Sequence, residues 1–369
     1  MPSNELPAPA LRQPRLLVLA NGEAVDSAIA AIVVSNNHYA ADRFTVTVAL
    51  GDTPAAAWAS SDDLLIAVQF SMDGGMSWRE LVQGNVDQLD LDPIRRVVTL
   101  CGRDLTARLI EARTREAFAN RTASEIAEEL AARHGLSTAV QRTTTPVGRY
   151  WLLQHDRITL DQFSRATTEW DLLVILAQFE GFDVWVAGTT LHFQPARAPT
   201  APVVTLRPVA TPLGPANVTS LRLERSLTLA RDIEVVVKSW NARQQNAFVQ
   251  TARARRARRD ARGRAPEVQR YVYVVPNLTP EEALQLAQRK LAELTLHERV
   301  ILAEMPGELD LAPRMQLRLE GTFTDFDQVY WIDEIERHLH VTRGFGQTVR
   351  ARNASEAGAA TAPAEKTAV

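Results

Sequence analysis

The chain has one cysteine, Cys101, in 369 residues. That excludes an internal disulfide and any multi-cysteine zinc site, and it fits assembly in a reducing cytoplasm. No run of about 18 apolar residues occurs, so neither a membrane-spanning helix nor stable membrane insertion is expected. Met1 to Pro14 lacks the basic segment and apolar run of a signal peptide, and it lacks a lipidation motif, so general secretory export is not expected. The formal net charge of −3 supplies no overall basic field toward nucleic acid or an anionic membrane, and any polyanion contact must be local. Also missing are a Gly-x-Ser-x-Gly elbow, a phosphate-binding loop ending in Gly-Lys-Ser/Thr and a His-Glu-x-x-His helix. These absences weaken an enzyme reading without ending it, and the expectation is a non-enzyme without cofactor, metal or catalytic residues.

What is present suits a folded protein of two or three domains: 46% of residues are hydrophobic and 23% charged. After a flexible N-terminus (1–14), residues 15–106 hold short apolar runs broken by turn residues: Leu16 to Ala20, Ile29 to Val34, Phe44 to Leu50, Ile66 to Ser71, Gly84 to Leu91 and Arg96 to Cys101. Phe44, Val46, Val48 and Leu50 alternate with Thr45, Thr47 and Ala49, the period of a half-buried strand. Asp73-Gly74-Gly75 supplies a hairpin turn before Trp78. Such regularly spaced strands predict a first β-barrel domain, completed in one version by residues 200–230.

Residues 107–199 change to α+β. Thr122-Ala123-Ser124-Glu125 is a capping box, Ile126 and Leu130 share a face, and Gly135 is placed as a left-handed C-cap with Arg133 and His134 near the negative end of the dipole. A second helix runs from Thr168-Glu169-Trp170-Asp171 to Gly181, and Phe182 to Val186 with Leu191 to Phe193 predict a hairpin against it. Prolines interrupt 195–215. A second β-barrel domain is expected over 200–352, with Leu221 to Leu229 and Ile233 to Trp240 as paired strands and Gln269 to Val275 as another. A loop over 251–266 and a helix over 279–296, capped by Thr279 and Glu282 with Pro280 at its first position, belong to the same part. Residues 353–369 lack periodicity and are expected to be disordered.

Few residue groups suggest chemistry. His338 and His340 share a strand face and, with Asp333 or Glu336, suggest metal ligands, although solvated strand faces carry such residues as well. Glu128 and Glu129 diverge by about 100° on a helix. His155 and Asp156 point apart on an extended chain. The unusual feature is basic: Arg253, Arg255, Arg256, Arg258, Arg259, Arg262 and Arg264, with Asp260 the one acid among them. The stretch either grips phosphate or an acidic partner surface, or serves as a solvated loop. No aromatic residues interleave to stack bases.

Four blocks occur in order. The first is Cys101-Gly102-Arg103-Asp104-Leu105-Thr106-Ala107-Arg108-Leu109-Ile110. The second is Asn120 with Thr122 to Leu136, followed by Pro146-Val147-Gly148-Arg149-Tyr150. The third comprises Glu169-Trp170-Asp171-Leu172-Leu173, Glu180 to Val186 and Leu191 to Pro195. The fourth comprises Ala283 to Leu291, Leu311-Ala312-Pro313, Val329-Tyr330-Trp331-Ile332, His338 and the Gly344 to Thr348 turn. Together they resemble the late control D family of phage tail proteins, baseplate hubs whose relatives include the hub part of type VI secretion spikes.

The resemblance implies a fold that is α+β but mainly β: two β-barrel-like domains of the phage tail hub type, an inserted α+β segment and a helix in the C-terminal part. It implies a homotrimer that presents a pseudo-sixfold ring to a hexameric tail tube and receives a trimeric spike, with the tape measure or other baseplate proteins as further partners. DNA would meet the protein only in passage through the lumen; the arginine stretch is not part of the resemblance and its role stays open, and three copies would line that path if it faced the lumen. The protein would stand in the baseplate of a virion tail assembled in the host cytoplasm. Unlike fused members, the chain has only a short polar tail after the second barrel, which implies that needle and wall-degrading parts are separate proteins. The alternatives are a peptidoglycan-degrading tail-tip enzyme and a DNA-binding tail protein using Arg253 to Arg264.

Overall fold

The computed structural model describes residues 12–353 except 37–38, 52–53, 115–117, 119–120, 145, 148, 151–154, 157–167, 197–203, 211, 213, 228, 230–231, 242–245, 255–267 and 276–277. The first part comprises β1 (Arg15–Ala20), β2 (Glu23–Ala24), β3 (Ala28–Asn36), β4 (Arg43–Ala49), α1 (Ala55–Ala59), β5 (Leu65–Ser71), β6 (Arg79–Asp92) and β7 (Val97–Asp104). The alternating pattern predicted for Phe44 to Leu50 is present in β4, where Phe44, Val46 and Val48 are buried and the threonines between them are not. These side chains join Val18, Val33, Ile66, Val68, Phe70, Val98 and Leu100 in one core, so the sheet curls around it. The Asp73-Gly74-Gly75 turn forms with both glycines at positive φ, 78° and 101°.

Two glycines set how closely strands approach. A Cβ on Gly102 would lie 2.2 Å from Asn85 O and 2.4 Å from Phe44 Cζ, and one on Gly84 would lie 1.8 Å from Arg103 O. Only glycine lets β6 and β7 pass here, next to the register shift between Val86 and Gln88.

The middle part holds α2 (Thr106–Glu111), β8 (Arg121–Thr122), α3 (Ala123–Arg133), β9 (Ser137–Val140), β10 (Pro146–Val147), β11 (Arg149–Tyr150), β12 (His155–Asp156), α4 (Glu169–Glu180), β13 (Phe182–Ala187) and β14 (Thr190–Pro195). The capping box at Thr122 forms as the spacing predicts, with Thr122 accepting from Glu125 N, and the structure adds a second at the start of α4, where Thr168 accepts from Asp171 N. Gly135, at φ 67°, follows α3 and donates to Ala132 O at 3.1 Å while Leu136 donates to Ala131 O at 2.9 Å, which satisfies the last carbonyls of the helix. The hairpin β13–β14 extends to β9, and α3 and α4 share one apolar core with this sheet.

The last part holds β15 (Val204–Leu206), β16 (Ser220–Arg225), β17 (Ile233–Asn241), β18 (Asn246–Ala254), β19 (Gln269–Val274), α5 (Pro280–Thr295), β20 (Arg299–Pro306), β21 (Gln316–Leu319), β22 (Val329–His340) and β23 (Gly344–Asn353). The expected pairing of 221–229 with 233–240 is corrected: β16 pairs with β20, and β17 lies between β18 and β19 in a separate three-stranded sheet. That sheet shares its own core with α5. The physical reason is burial: β17 is apolar on both faces around Val235 and Val236 and takes the centre of a sheet, whereas β16 carries exposed Arg222 and Glu224 and takes an edge.

A single 13-stranded sheet joins the first and last parts through β22, which pairs antiparallel with β3 from Glu334 to His340 and with β21 from Val329 to Trp331. The change of partner coincides with a register shift between Ile332 and Glu334. Asp333, at this shift, is buried and lies 2.9 Å from Arg352 Nε. Phe345 then reaches the first core, edge-on to Phe70 with ring centroids 5.1 Å apart.

Candidate functional site: a cleft at the junction of three cores

Three of the four sequence blocks, the first, third and fourth, converge on one cleft of about 320 Å³, lined among others by Tyr39, Asp42, Asp104, Trp170, Asp183, Trp185, Leu311, Arg314 and Arg337. Each of the three surrounding cores contributes a tie. From the α+β part, Trp170 Nε1 donates to Tyr39 O at 2.6 Å. From the last part, buried Arg337 on β22 donates to the Glu308 and Leu311 carbonyls. Arg314 lies 4.5 Å from the Trp185 ring, whose other partner is His192 across the hairpin, stacked at 4.6 Å and nearly parallel. Arg79 and Asp310 add a surface ion pair at 3.3 Å, and Arg12 meets Glu308 at 3.0 Å.

Burial raises the acids of the cleft above the usual carboxylate range. Burial pushes Asp42 up to about 6 against the backbone N–H of Asn36, which donates to its Oδ1 at 2.9 Å. Asp104 is pushed up to about 8, first by burial and then by the charge of Asp42, while Thr106 N donates to its Oδ1 at 3.1 Å. Burial also raises Asp183, and it pulls Arg337 down to about 10. At neutral pH Asp104 is therefore a neutral acid at the end of β7, where the chain turns into α2. Asp42, Asp104 and Arg337 thus each bond to backbone groups of the protein at this joint.

The block Glu169-Trp170-Asp171 has three separate tasks. Buried Glu169 receives Arg133 Nη1 at 3.2 Å and meets His134 Nε2 at 2.6 Å, so it ties the end of α3 to the start of α4. Trp170, itself part of the α+β core, reaches the Tyr39 carbonyl between β3 and β4, and Asp171 completes the cap. Sequence reasoning placed Arg133 and His134 near the helix end without finding Glu169 as their partner.

Of the basic candidates, Arg253 lies within β18, where its Nε donates to Glu234 Oε1 at 2.6 Å. Glu234 also meets Arg270 at 3.1 Å. Arg255, Arg256, Arg258, Arg259, Arg262 and Arg264 lie outside the described residues, as does the tail over 354–369. His338 is on the exposed face of β22 while Asp333 is buried with Arg352, and the described residues hold no cluster of three or more metal-ligating side chains. Glu129 bonds Arg133 at 2.8 Å. The side chains of His155 and Asp156 are outside the described set. Cys101 is half-buried against Thr45, more exposed than a core thiol. No helix of the described residues is long and apolar enough to cross a membrane.

A long shared sheet, two flanking α/β units and a polar joint that fixes them define a β-rich scaffold. The model of the phage tail baseplate hub (GPD) family matches residues 44–342, and the chain belongs to that family. The structure is similar to the tail protein of Neisseria meningitidis MC58, at 16% identity and TM-score 0.67, covering 92% of this chain and 96% of that one. It is similar to the 43 kDa tail protein of prophage MuSo2 from Shewanella oneidensis, also at 16% identity, with TM-score 0.66 and coverage of 92% and 98%. A third is E. coli c3393, described as a component of the type VI secretion system with structural similarity to the T4 tail proteins gp27 and gp5; it gives 11% identity, TM-score 0.51 and coverage of 94% and 78%. No curated protein matches.

Proposed function

We propose that this chain is a non-catalytic hub of a phage or phage-derived tail baseplate that acts as a homotrimer. Three copies form a ring of pseudo-sixfold symmetry that joins a hexameric tail tube to a trimeric spike, with the tape measure or other baseplate proteins as neighbours and DNA passing through the lumen. The observation that carries this reading is the family match over residues 44–342. Support comes from the fold: two curled β regions share one sheet through β22 and β3, so each subunit offers two β modules in a fixed relation. Three such subunits supply six modules, and a closed ring buries edges that a monomer leaves open. The arginines from Arg253 to Arg264 are assigned to an acidic partner surface or to the DNA path. Assembly takes place in the host cytoplasm and the mature location is the virion tail.

Light scattering of the full chain, alone and mixed with the tail tube and spike proteins of the same particle, tests the reading. A trimer, or a monomer that trimerises on meeting the spike, is expected. A monomer that ignores both partners overturns it, and clearing of bacterial wall in a zymogram overturns the non-catalytic assignment.

A further inference from the structure

The three-stranded sheet that packs on α5 has an edge without the usual protection. β19 pairs in parallel with β17 over Gln269 to Val274 without a register break, and among the described residues it has no second neighbour. Gln269 N donates to Asp232 O at 2.8 Å and Val275 N to Lys238 O at 3.0 Å. Alternate residues of a parallel ladder turn both backbone groups to the same side, so the odd-numbered residues serve β17, and Arg270, Val272 and Val274 direct N–H and C=O to the open edge. The strand contains no proline and no bulge, and Arg270 is its one charge. Other edges are blunted: β16 carries Arg222 and Glu224, and β2 is two residues long.

The outer face beside this edge has a defined pattern. Register places Arg253, Glu234 and Arg270 in one row, Thr251, Val236 and Val272 in the next, and Val249, Lys238 and Val274 in the third. Val272 is 49% exposed and Val274 66%, whereas Val236 on the central strand is fully buried, so the accessible apolar surface of these rows is the part beside the β19 edge. The first row holds two guanidinium groups against one carboxylate, with Arg253 and Arg270 more than half exposed. A polypeptide strand with an acid at one end and β-branched residues at alternate positions beyond it complements both the charge and the apolar rows. The valines favour protein over nucleic acid. A second copy pairing antiparallel through β19 sets Arg270 opposite Val274 and brings no acid to the basic row.

We propose that β19 is a docking edge for an extended segment of another protein, which adds as a strand beside Val272 and places an acidic side chain near Arg270. The test uses the full chain and a labelled peptide, acetyl-Thr-Glu-Thr-Val-Thr-Val-Thr-amide, read by fluorescence anisotropy and by amide exchange. Saturable binding is expected, with protection gained at the Val272 and Val274 amides and none at Tyr271 or Tyr273. Val272→Pro removes an edge donor without touching a bond to β17, and it is expected to weaken binding at least about tenfold, the loss of roughly one good hydrogen bond. If that variant melts early, Val272→Lys keeps the backbone and should weaken binding by crowding and charge, and a peptide with lysine in place of glutamate should bind several-fold less well. The proposal is overturned if the peptide does not saturate, if both variants bind like the parent, if the chain alone associates through β19, or if duplex DNA displaces the peptide at equal concentration.

Discussion

Replacing Asp104 with asparagine tests whether the junction holds a neutral acid. Asp104 is raised from 3.8 to about 8 by burial and by Asp42. Because the folded state holds the proton more tightly than the unfolded chain, stability declines as pH rises from about 4 to about 8 and is level above that. Treated as an isolated ionisation, the shift corresponds to about 6 kcal/mol, which the shared titration with Asp42, itself raised to about 6, reduces. A realistic loss is on the order of 2–3 kcal/mol. Asparagine is isosteric and its Oδ1 can still accept from Thr106 N. Thermal unfolding followed at pH 5, 7 and 9 should therefore show the parent losing stability with pH, whereas Asp104→Asn keeps a smaller slope from Asp42 and Asp183. At pH 9 the variant should melt several degrees above the parent. Equal slopes in the two proteins, or a parent that is flat from pH 5 to 9, would refute a protonated Asp104.

Gly102→Ala forces a methyl to within 2.4 Å of both Asn85 O and the Phe44 ring; a loss of at least about 2 kcal/mol is expected in denaturant unfolding, since overpacking a tight crossing shifts backbone. Glu169→Ala leaves Arg133 and His134 without their buried carboxylate and should cost about 1–3 kcal/mol. Amide exchange should rise at the end of α3 and the start of α4 while β22 and β23 stay protected, and a uniform rise would contradict a local role.

Local elements were legible because their signals are local. The alternation of Phe44, Val46 and Val48, the capping boxes at Thr122 and Thr279, the helix start at Thr168 and the glycines Gly135 and Gly181 act within a few residues, and each forms as spacing predicts. β18 was less visible, since its end runs into the arginine stretch and Arg253 looked like loop until Glu234 faced it. The family resemblance was legible in ordered blocks, but the sequence showed no reason for them. The structure supplies one for three of the four: Asp104 of the first block, Trp170 and Trp185 of the third and Leu311 of the fourth line one cleft.

By itself the chain determined which segments become strands and helices, because hydrophobic period, caps and positive-φ glycines are properties of neighbouring residues. Tertiary structure alone decided which strands meet. β22 pairs with β3 across some 300 residues, β16 chooses β20 over its sequence neighbour β17, and Asp42, Asp104 and Arg337 share one buried joint. Those choices follow from burying several apolar faces at once and from satisfying polar groups cut off from water, a balance that no local stretch of sequence contains.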